Sequence, residues 1–278
     1  MKKELETQHR KTAKSELAEV LGFYHDSGVN CTLNDELGTE GVVDSNHSKT
    51  GGLGIASVTQ QGTQAKLDIL HWVGYATQVA SNCSTLQELK EAVCAFEGCE
   101  IKKSAMNTVF SDGNPNAKIM LIGEAPGGTE DREGRPFCGT SGMLLDKMFA
   151  SINLARTSNI YISNTVFWRP PGNRKPTDFE LDVCRPFVER HISLVDPDVV
   201  IMVGGTACYS ILKTQDNISR LRGRFYNYTN DFLSRQITAM VIFHPAYLLR
   251  QPMQKRLAWE DLKMLRAYLT EKNIQTSF

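Results

Sequence analysis

The sequence predicts an α/β fold in which helices cover both faces of a parallel sheet. From residue 117 onward, short apolar segments alternate with helical patterns, and this order produces parallel strands. Each of the four predicted strands also ends in an unusual loop. Because the carboxyl ends of parallel strands meet at one edge of a sheet, these loops predict a binding site at that edge.

The predicted elements follow the chain in order. Four apolar, β-branched runs are predicted to be strands, at residues 119–123, 159–166, 198–203 and 237–243. Helices are predicted at residues 142–152, 176–194 and 255–269, and a short helix is predicted to end at residue 212. Thr177 introduces the second of these helices, and Asp178 and Glu180 lie in its first turn, where the helix dipole favours acids.

The first 66 residues are predicted to lie outside the main domain. Apolar residues at helical spacing indicate a helix at 15–26. Residues 27–64 are then rich in Gly, Ser, Thr, Asn and Gln, which is typical of a disordered or loosely held linker. Helices are predicted again at 67–80 and 86–96, so we expect the main domain to occupy residues 67–278.

Composition limits the function classes. The 31 basic and 31 acidic side chains balance, so a nucleic-acid surface would have to be local. No apolar run approaches the roughly 18 residues of a membrane span, and the polar N-terminus lacks the apolar segment of a secretion signal. The seven cysteines form no regular framework, so we expect reduced thiols in a cytoplasmic protein.

The strongest local signal lies between residues 118 and 145, KIMLIGEAPGGTEDREGRPFCGTSGMLL. A predicted strand ends here in Pro126 and two glycines, which allow close backbone approach. A charged turn is predicted next, and then an apolar helix. By itself, this loop is also compatible with an ordinary connection between a strand and a helix.

Three sequence blocks together resemble the uracil-DNA glycosylase superfamily: GEAPGGTEDREGRPFCGTSG, ISNTVFWRPPGNR and FHPAYLLR. The resemblance covers residues 96–269 and is closest to family 4, which is usually built around an iron–sulfur cluster. It implies a three-layer α/β/α sandwich on a four-stranded parallel sheet. It also implies a monofunctional enzyme that hydrolyses the N-glycosidic bond of uracil in DNA and leaves an abasic site for base excision repair. The expected form is a monomer in the cytoplasm, at the bacterial nucleoid, with uracil-containing DNA as its partner.

Three residues in these blocks suit the recognition of a flipped-out base, which must be stacked and read at its hydrogen-bonding edge. By resemblance Phe137 stacks on uracil. The Asn164 amide has donors and an acceptor that match the N3–H and O4 edge. His244 is placed to donate to O2 as negative charge builds on the leaving base. A core phenylalanine, a turn-forming asparagine and a core histidine are the alternative interpretations.

Two carboxylates, Glu124 and Glu130, are candidates for the group that activates the attacking water. Another branch of the superfamily has an aspartate where this chain has Ala125, as is common in family 4. We favour Glu124 for the water or the loop geometry, and Glu130 for walling the pocket near uracil C5 to exclude thymine. Gly127 stands where another branch carries a bulky aromatic against that methyl group. No lysine lies in the loop or beside His244, so no lyase step is expected.

A local excess of basic residues predicts a DNA-binding surface. Between residues 217 and 257 the only acid is Asp231. The segment after His244 resembles the insertion loop of the family, in which Tyr247 or Leu248 would wedge into the duplex. The predicted DNA contacts are Arg169, Asn173, Arg174, Arg222, Arg224, Tyr247, Leu248 and Arg250.

The chain departs from the family pattern at the iron–sulfur cluster. Typical family 4 members hold a [4Fe–4S] cluster through four cysteines. Cys99 and Cys184 match two of these positions, but Phe96 and Trp168 occupy the other two. We therefore expect no cofactor and two ordinary buried thiols, with a [4Fe–4S] cluster as the alternative. The effect on base range, such as acceptance of other deaminated bases, is left open.

Two other functions compete with hydrolysis. The first is a protein that binds uracil-DNA without turnover. One branch of the superfamily captures such DNA covalently through a histidine in a basic loop, but residues 216–236 contain none. The second is a flavodoxin-like nucleotide-binding module. It would need a phosphate loop that leads straight into a helix, whereas GEAPGG is predicted to run into an acidic turn.

Overall fold

A computed structural model describes residues 55–274, with side chains described from residue 67. These residues belong to one structural unit, which begins at Ile55. The predicted helix at 15–26 and residues 27–54 of the predicted linker lie outside the described residues. Among the described helices, none combines the length and apolar character that a membrane span requires.

A six-stranded sheet forms the centre of the unit. Its strands are β1 (Asp112–Gly113), β2 (Ile119–Gly123), β3 (Ile160–Asn164), β4 (Val199–Val203), β5 (Phe225–Tyr228) and β6 (Ile237–Ile242). They are arranged in the order β1-β3-β2-β4-β6-β5. The four central strands are parallel, as predicted, while β1 and β5 add antiparallel edges. The sequence did not predict the edge strands because β1 has two residues and β5 has four, too few to show a clear alternating pattern.

Helices pack on both faces of this sheet. They are α1 (Ile55–Asn82), α2 (Leu86–Ala95), α3 (Gly128–Glu133), α4 (Thr140–Ala150), α5 (Asp178–Val195), α6 (Gly205–Leu212), α7 (Ile218–Leu221), α8 (Pro245–Arg250) and α9 (Lys255–Glu271). The first helix starts inside the predicted linker, because extending an existing helix costs far less than nucleating one. The start of α5 agrees with its prediction, since Thr177 and Glu180 form a reciprocal capping box.

Alternate residues of each central strand face opposite layers of helices. On β2, Met120 and Ile122 pack in the core beneath α1, α2, α5 and α6, while Leu121 packs in the core beneath α4 and α9. All five residues of β2 are buried, as expected for a strand covered on both faces. The predicted three-layer α/β/α arrangement is confirmed.

The loop after β2 differs from its prediction. GEAPGG leads straight into the short helix α3, where a charged turn was predicted. The buried carboxylate of Asp131 anchors this helix, since it accepts hydrogen bonds from the backbone N–H groups of Met106 and Asn107. Phosphate is therefore disfavoured here not by a missing helix but by Glu130 and Asp131 in its first turn.

Candidate active site

The side chains of Phe137 and Asn164 meet at Gly123, the last residue of β2. A Cβ at position 123 would lie 2.5 Å from both Asn164 Oδ1 and the Phe137 ring. The Phe137 and His244 rings are 5.6 Å apart between centroids. Only glycine leaves room for this approach. We call Gly123, Phe137, Asn164 and His244 the Gly123 site; it brings together the three residues predicted to handle the base.

Phe137 holds its ring in this site with an unusual backbone. Its φ is 52°, in the left-handed region that is rare for aromatic residues. Gly142 makes the conformation possible, because a Cβ there would lie 1.8 Å from the Phe137 carbonyl oxygen. The ring is buried, with 6% of the residue exposed. The surrounding structure therefore has to hold Phe137 in place.

Asn164 presents a buried amide at the end of β3. It pairs in register with Gly123 of the neighbouring strand, and 1% of the residue is exposed. Within the described part of the chain, its side-chain amide makes no hydrogen bond. Buried amides in proteins are nearly always paired. The Asn164 amide is thus available to pair with a ligand.

His244 is a neutral hydrogen-bond donor. It caps helix α8, and its Nδ1 accepts a hydrogen bond from the Ala246 N–H at 3.1 Å. Burial lowers the pKa of His244, with Arg250 acting in the same direction and Glu124 opposing it. Because Nδ1 accepts, the single proton of the neutral ring sits on Nε2.

Two threonines fix Glu124 beside this site. Its carboxylate Oε2 accepts a hydrogen bond from Thr206 Oγ1 at 2.5 Å. Its backbone oxygen accepts another from Thr165 Oγ1 at 2.5 Å. Sequence reasoning missed Thr206, although it directly follows the glycine pair that ends β4. The side chain of Glu124 is therefore held at a defined place near His244, whose pKa it affects.

Glu130 and Gly127 lie together on the other side of the loop. Glu130 Oε1 accepts hydrogen bonds from the backbone N–H groups of Cys138, at 3.1 Å, and Gly139, at 2.8 Å. Its Oε2 would lie 2.8 Å from a Cβ at position 127. Glu130 thus joins α3 to the start of α4 and borders Gly127. Ala125, between the two carboxylates in sequence, packs against the core on the α5 side.

The WRPPGNR loop carries three of the predicted DNA contacts. Arg169 Nε donates to Asn173 Oδ1 at 2.7 Å, and its guanidinium lies over Gly128 at the start of α3. Arg174 makes a two-bond ion pair with Glu180, at 2.6 and 2.8 Å, although 43% of its side chain is exposed. The loop therefore keeps a fixed shape and still presents cationic groups.

Arg224 and Arg250 remain exposed, and neither has an ion pair among the described residues. Arg250 ends α8, close enough to affect the pKa of His244. These two arginines agree best with the predicted phosphate contacts. Tyr247 is half-buried against Phe243.

Two predicted DNA contacts lie in the interior instead. Arg222 bonds to Asp261, which is 1% exposed, and lies 5.1 Å from the Phe243 ring centroid. Leu248 is 0% exposed in a small core, whereas 40% of its neighbour Leu249 is exposed. Helical geometry turns Leu248 inward, and the buried carboxylate of Asp261 requires the charge of Arg222.

The four positions of the family's iron–sulfur cluster are filled by ordinary core side chains. Cys99 and Cys184 are 1% and 0% exposed. Burial raises the pKa of Cys184 well above its usual value, and a hydrogen bond with Cys99 acts in the same direction. Trp168 is 1% exposed and donates its Nε1–H to Thr108 Oγ1 at 3.0 Å.

Aromatic packing occupies the space around these positions. The Phe96 ring contacts Phe187 at 5.0 Å and Trp72 at 5.8 Å between centroids. A Cβ at Gly98 would lie 2.4 Å from the Trp72 ring. We call Trp72, Phe96, Trp168 and Phe187 the aromatic cluster; the last three belong to one buried core, and the partly buried Trp72 packs against it.

Two thiols without further ligands do not fit a [4Fe–4S] cluster, which needs four thiolates. Among the described residues, no group of three or more His, Cys, Asp or Glu side chains is arranged to hold a metal ion. The residues present at the four positions therefore do not match this cofactor.

Comparison with known proteins gives a consistent result. A family model described as the uracil DNA glycosylase superfamily matches residues 110–263. The type-4 uracil-DNA glycosylase of Sulfurisphaera tokodaii is 34% identical over 186 residues, which cover 66% of this chain and 84% of that protein. The type-4 enzyme of Archaeoglobus fulgidus is 33% identical over 185 residues, or 65% and 92% of the two chains. A type-5 uracil-DNA glycosylase of Thermus thermophilus is 35% identical over 104 residues, or 33% and 47%.

Proposed function

The chain belongs to the uracil DNA glycosylase superfamily, and we propose that it hydrolyses the N-glycosidic bond of uracil in DNA. The products are free uracil and an abasic site for base excision repair. One observation carries the proposal. At Gly123 a buried ring meets an unpartnered amide, and a neutral imidazole lies 5.6 Å from that ring between centroids. These are the groups needed to stack a base, read it and stabilise it as a leaving group.

Recognition depends on Phe137 and Asn164. The flipped uracil stacks on the Phe137 ring, while the Asn164 amide accepts from N3–H and donates to O4. Cytosine presents an acceptor at N3 and a donor at C4, so a fixed amide would face two mismatched groups. Leaving a buried polar group unpaired costs about 1–3 kcal/mol. Glu130, which borders Gly127, walls the pocket near C5 and disfavours the methyl group of thymine.

Bond cleavage depends on His244 and Glu124. As the bond to C1′ breaks, electrons move onto the base, and negative charge develops at O2. The neutral His244 donates a hydrogen bond from Nε2–H to that oxygen and keeps its proton. Glu124 holds and polarises the water that attacks C1′, and its hydrogen bond from Thr206 fixes the carboxylate. The GEAPGG loop and the residues beside His244 contain no lysine that could form a Schiff base, which supports a monofunctional reaction.

The DNA backbone contacts four arginines, of which Arg169 is half-buried and the other three are exposed. We assign phosphate contacts to Arg169, Arg174, Arg224 and Arg250, with Asn173 supporting Arg169. Exposed Leu249, together with Tyr247, takes the wedge role first given to Leu248. The protein acts as a monomer at the nucleoid of the bacterial cytoplasm.

The test is a cleavage assay with the full chain on single- and double-stranded oligonucleotides that carry one uracil or one thymine. Alkali then breaks the strand at abasic sites. We expect cleavage at uracil only, and a loss of about a hundredfold or more in Asn164→Ala. Asn227→Ala, at an exposed asparagine of edge strand β5, serves as the control and should keep full activity. A folded protein that binds uracil-DNA without cleaving it would instead favour the binding function.

We also propose that the enzyme works without an iron–sulfur cluster. The packing of the aromatic cluster supports this, and so does the raised pKa of the buried Cys184 thiol. Iron and sulfide analysis and the visible absorption of protein purified without oxygen test it directly. A colourless, active protein with no stoichiometric iron is expected. A brown protein with about four iron atoms per chain would overturn the proposal and leave the glycosylase function intact.

A further inference from the structure

Phe137 needs a support that the glycines of its loop do not supply. Its left-handed backbone, with a φ of 52°, is strained for an L-residue with a side chain. Its neighbour Pro136 removes one backbone donor that could have fixed the turn. Gly142 only makes room for the Phe137 carbonyl; it donates nothing to it. Glu130 holds the N–H groups of Cys138 and Gly139 that follow Phe137, but it does not bind the Phe137 carbonyl, which needs a donor of its own.

The guanidinium of Arg156, from the connection between α4 and β3, provides this support. Its Nη2 donates to the Phe137 carbonyl oxygen at 2.8 Å, and its Nη1 donates to the Pro136 carbonyl oxygen at 3.1 Å. Two consecutive carbonyl groups are thus gripped by one planar group. One of these two hydrogen bonds holds the backbone of Phe137, whose ring lies beside Asn164 and His244.

Two carboxylates in turn fix the guanidinium. Nη1 of Arg156 pairs with Asp112 at 2.7 Å, while Nε and Nη2 pair with Asp146 at 3.0 and 2.8 Å. Asp112 belongs to edge strand β1 and Asp146 to α4. All five N–H donors of the guanidinium therefore have partners. With 15% of its side chain exposed, Arg156 is shielded from water, which strengthens these bonds.

We propose that Arg156 is a positioning residue that sets the base-stacking surface of the enzyme through the backbone of Phe137. This rests on the proposed function, because it takes Phe137 to be the surface on which uracil stacks. Arg156 does not touch the base. It joins edge strand β1, helix α4 and the loop after α3 so that the ring stays beside Gly123. Lysine cannot replace it, since an ammonium group lacks the planar fork that grips two carbonyls and two carboxylates together.

The test is a double-mutant cycle with Arg156→Lys and Phe137→Ala in the full chain. Arg156→Lys keeps the charge and loses the fork, so we expect kcat/KM on uracil-DNA to fall by about ten- to a hundredfold. In the Phe137→Ala background, the same change should cost less than about twofold, because the ring it positions is gone. Equal losses in both backgrounds, or no loss in the folded single variant, would overturn the proposal.

A matched control is Arg190→Lys. Arg190 also clamps a backbone carbonyl, that of Cys83, through Nε and Nη2 at 2.8 and 2.6 Å. It lies on α5, on the opposite side of the sheet from α4, and should leave kcat/KM unchanged in both backgrounds. Assays at temperatures well below the unfolding midpoint of each variant separate misplacement from unfolding. If Arg156→Lys does not fold, Asp146→Asn, which removes one support of the guanidinium, should give a smaller loss in the same direction.

An NMR measurement keeps the inference testable even without activity. The Phe137 ring shifts the C–H resonances of the His244 ring, since their centroids are 5.6 Å apart. Arg156→Lys should move these resonances toward their positions in Phe137→Ala, and Arg190→Lys should not. Unmoved His244 resonances would contradict the positioning role. If the wild-type protein is inactive but its His244 resonances still depend on Phe137 and Arg156 in this way, only the proposed glycosylase function is contradicted.

Discussion

The Gly123 site and the aromatic cluster both lie largely in the interior, but they differ in the hydrogen bonding of their polar atoms. In the aromatic cluster, the Trp168 indole N–H donates a hydrogen bond to Thr108 Oγ1. At the Gly123 site, the Asn164 amide has no partner among the described residues. A region whose polar groups are satisfied within the protein is core, and a region that keeps one unpaired is built for a ligand. Stability and catalysis should therefore separate cleanly between the two regions.

The largest effect tests the aromatic cluster. Phe96→Ala removes a ring that is 2% exposed and packed on Phe187, so it should lower the free energy of unfolding by about 3–5 kcal/mol. Urea unfolding measures this change. At a temperature where the variant is fully folded, its kcat/KM on uracil-DNA should stay within about twofold of wild type. Trp259→Ala, at a 42% exposed ring, is the stability control and should cost less than about 1 kcal/mol. A folded Phe96→Ala protein with strongly reduced activity would contradict the separation.

The next effect tests the Gly123 site. His244→Asn removes the Nε2 donor but keeps an oxygen that can cap helix α8, because asparagine is among the best N-cap residues. We expect kcat to fall about 10²- to 10³-fold with little change in stability. His244→Ala should lose as much activity and, in addition, about 1 kcal/mol of stability. Single-turnover cleavage and urea unfolding of both variants give the two numbers. Retained activity in either variant would remove His244 from the mechanism.

The third prediction concerns a buried histidine outside the Gly123 site. His191 stacks on Phe110 at 4.3 Å, bonds to the Tyr161 hydroxyl through Nε2, and has no partner at Nδ1 within the described residues. Burial lowers its pKa from 6.5 to about 3. The folded protein therefore keeps this ring neutral, while the unfolded chain takes up a proton below pH 6.5. The contribution of His191 to the free energy of unfolding is therefore fully present above pH 6.5 and is lost as the pH falls toward 3.

At pH 5 this loss amounts to about 2 kcal/mol relative to pH 7.5. His191→Gln cannot gain a proton, so the difference in its free energy of unfolding between these two pH values should be smaller by that amount. Urea unfolding at both values measures it. An equal pH dependence in the variant and the wild type would show that His191 is protonated in the fold or partly exposed.

Much of the fold could be predicted because its signals are local. The central strands are short β-branched runs; His244 directly follows one of them, and Asn164 lies near the end of the predicted strand at residues 159–166. Phe137 was found through its motif. Its left-handed backbone could not be predicted, since that depends on the contact of Gly142 with its carbonyl.

The parts that failed depend on partners far away in the sequence. Arg222 looked like a phosphate contact until Asp261, 39 residues further on, proved to hold it. Leu248 and Leu249 differ only in which side of a short helix they occupy. Arg156 gave no signal, because its four partner residues come from three separate segments of the chain. Local patterns report periodicity and turn chemistry, whereas these roles come from the packed structure.

The smallest expected effect tests whether Thr206 supports Glu124 beside the Gly123 site. Thr206→Val keeps the shape of the side chain and removes the hydroxyl that donates to Glu124 at 2.5 Å. A hydrogen bond to a charged group contributes about 1.5–3 kcal/mol, but Glu124 is partly accessible to water, so we expect only a five- to tenfold loss of kcat, about 1–1.4 kcal/mol. KM should not change, because Thr206 acts on the water-holding carboxylate and not on the bound base. Thr206→Ser, which keeps the hydroxyl, should restore kcat. A loss that appears in KM instead, or that serine does not restore, would place Thr206 in substrate binding or in packing and would leave Glu124 without its proposed support.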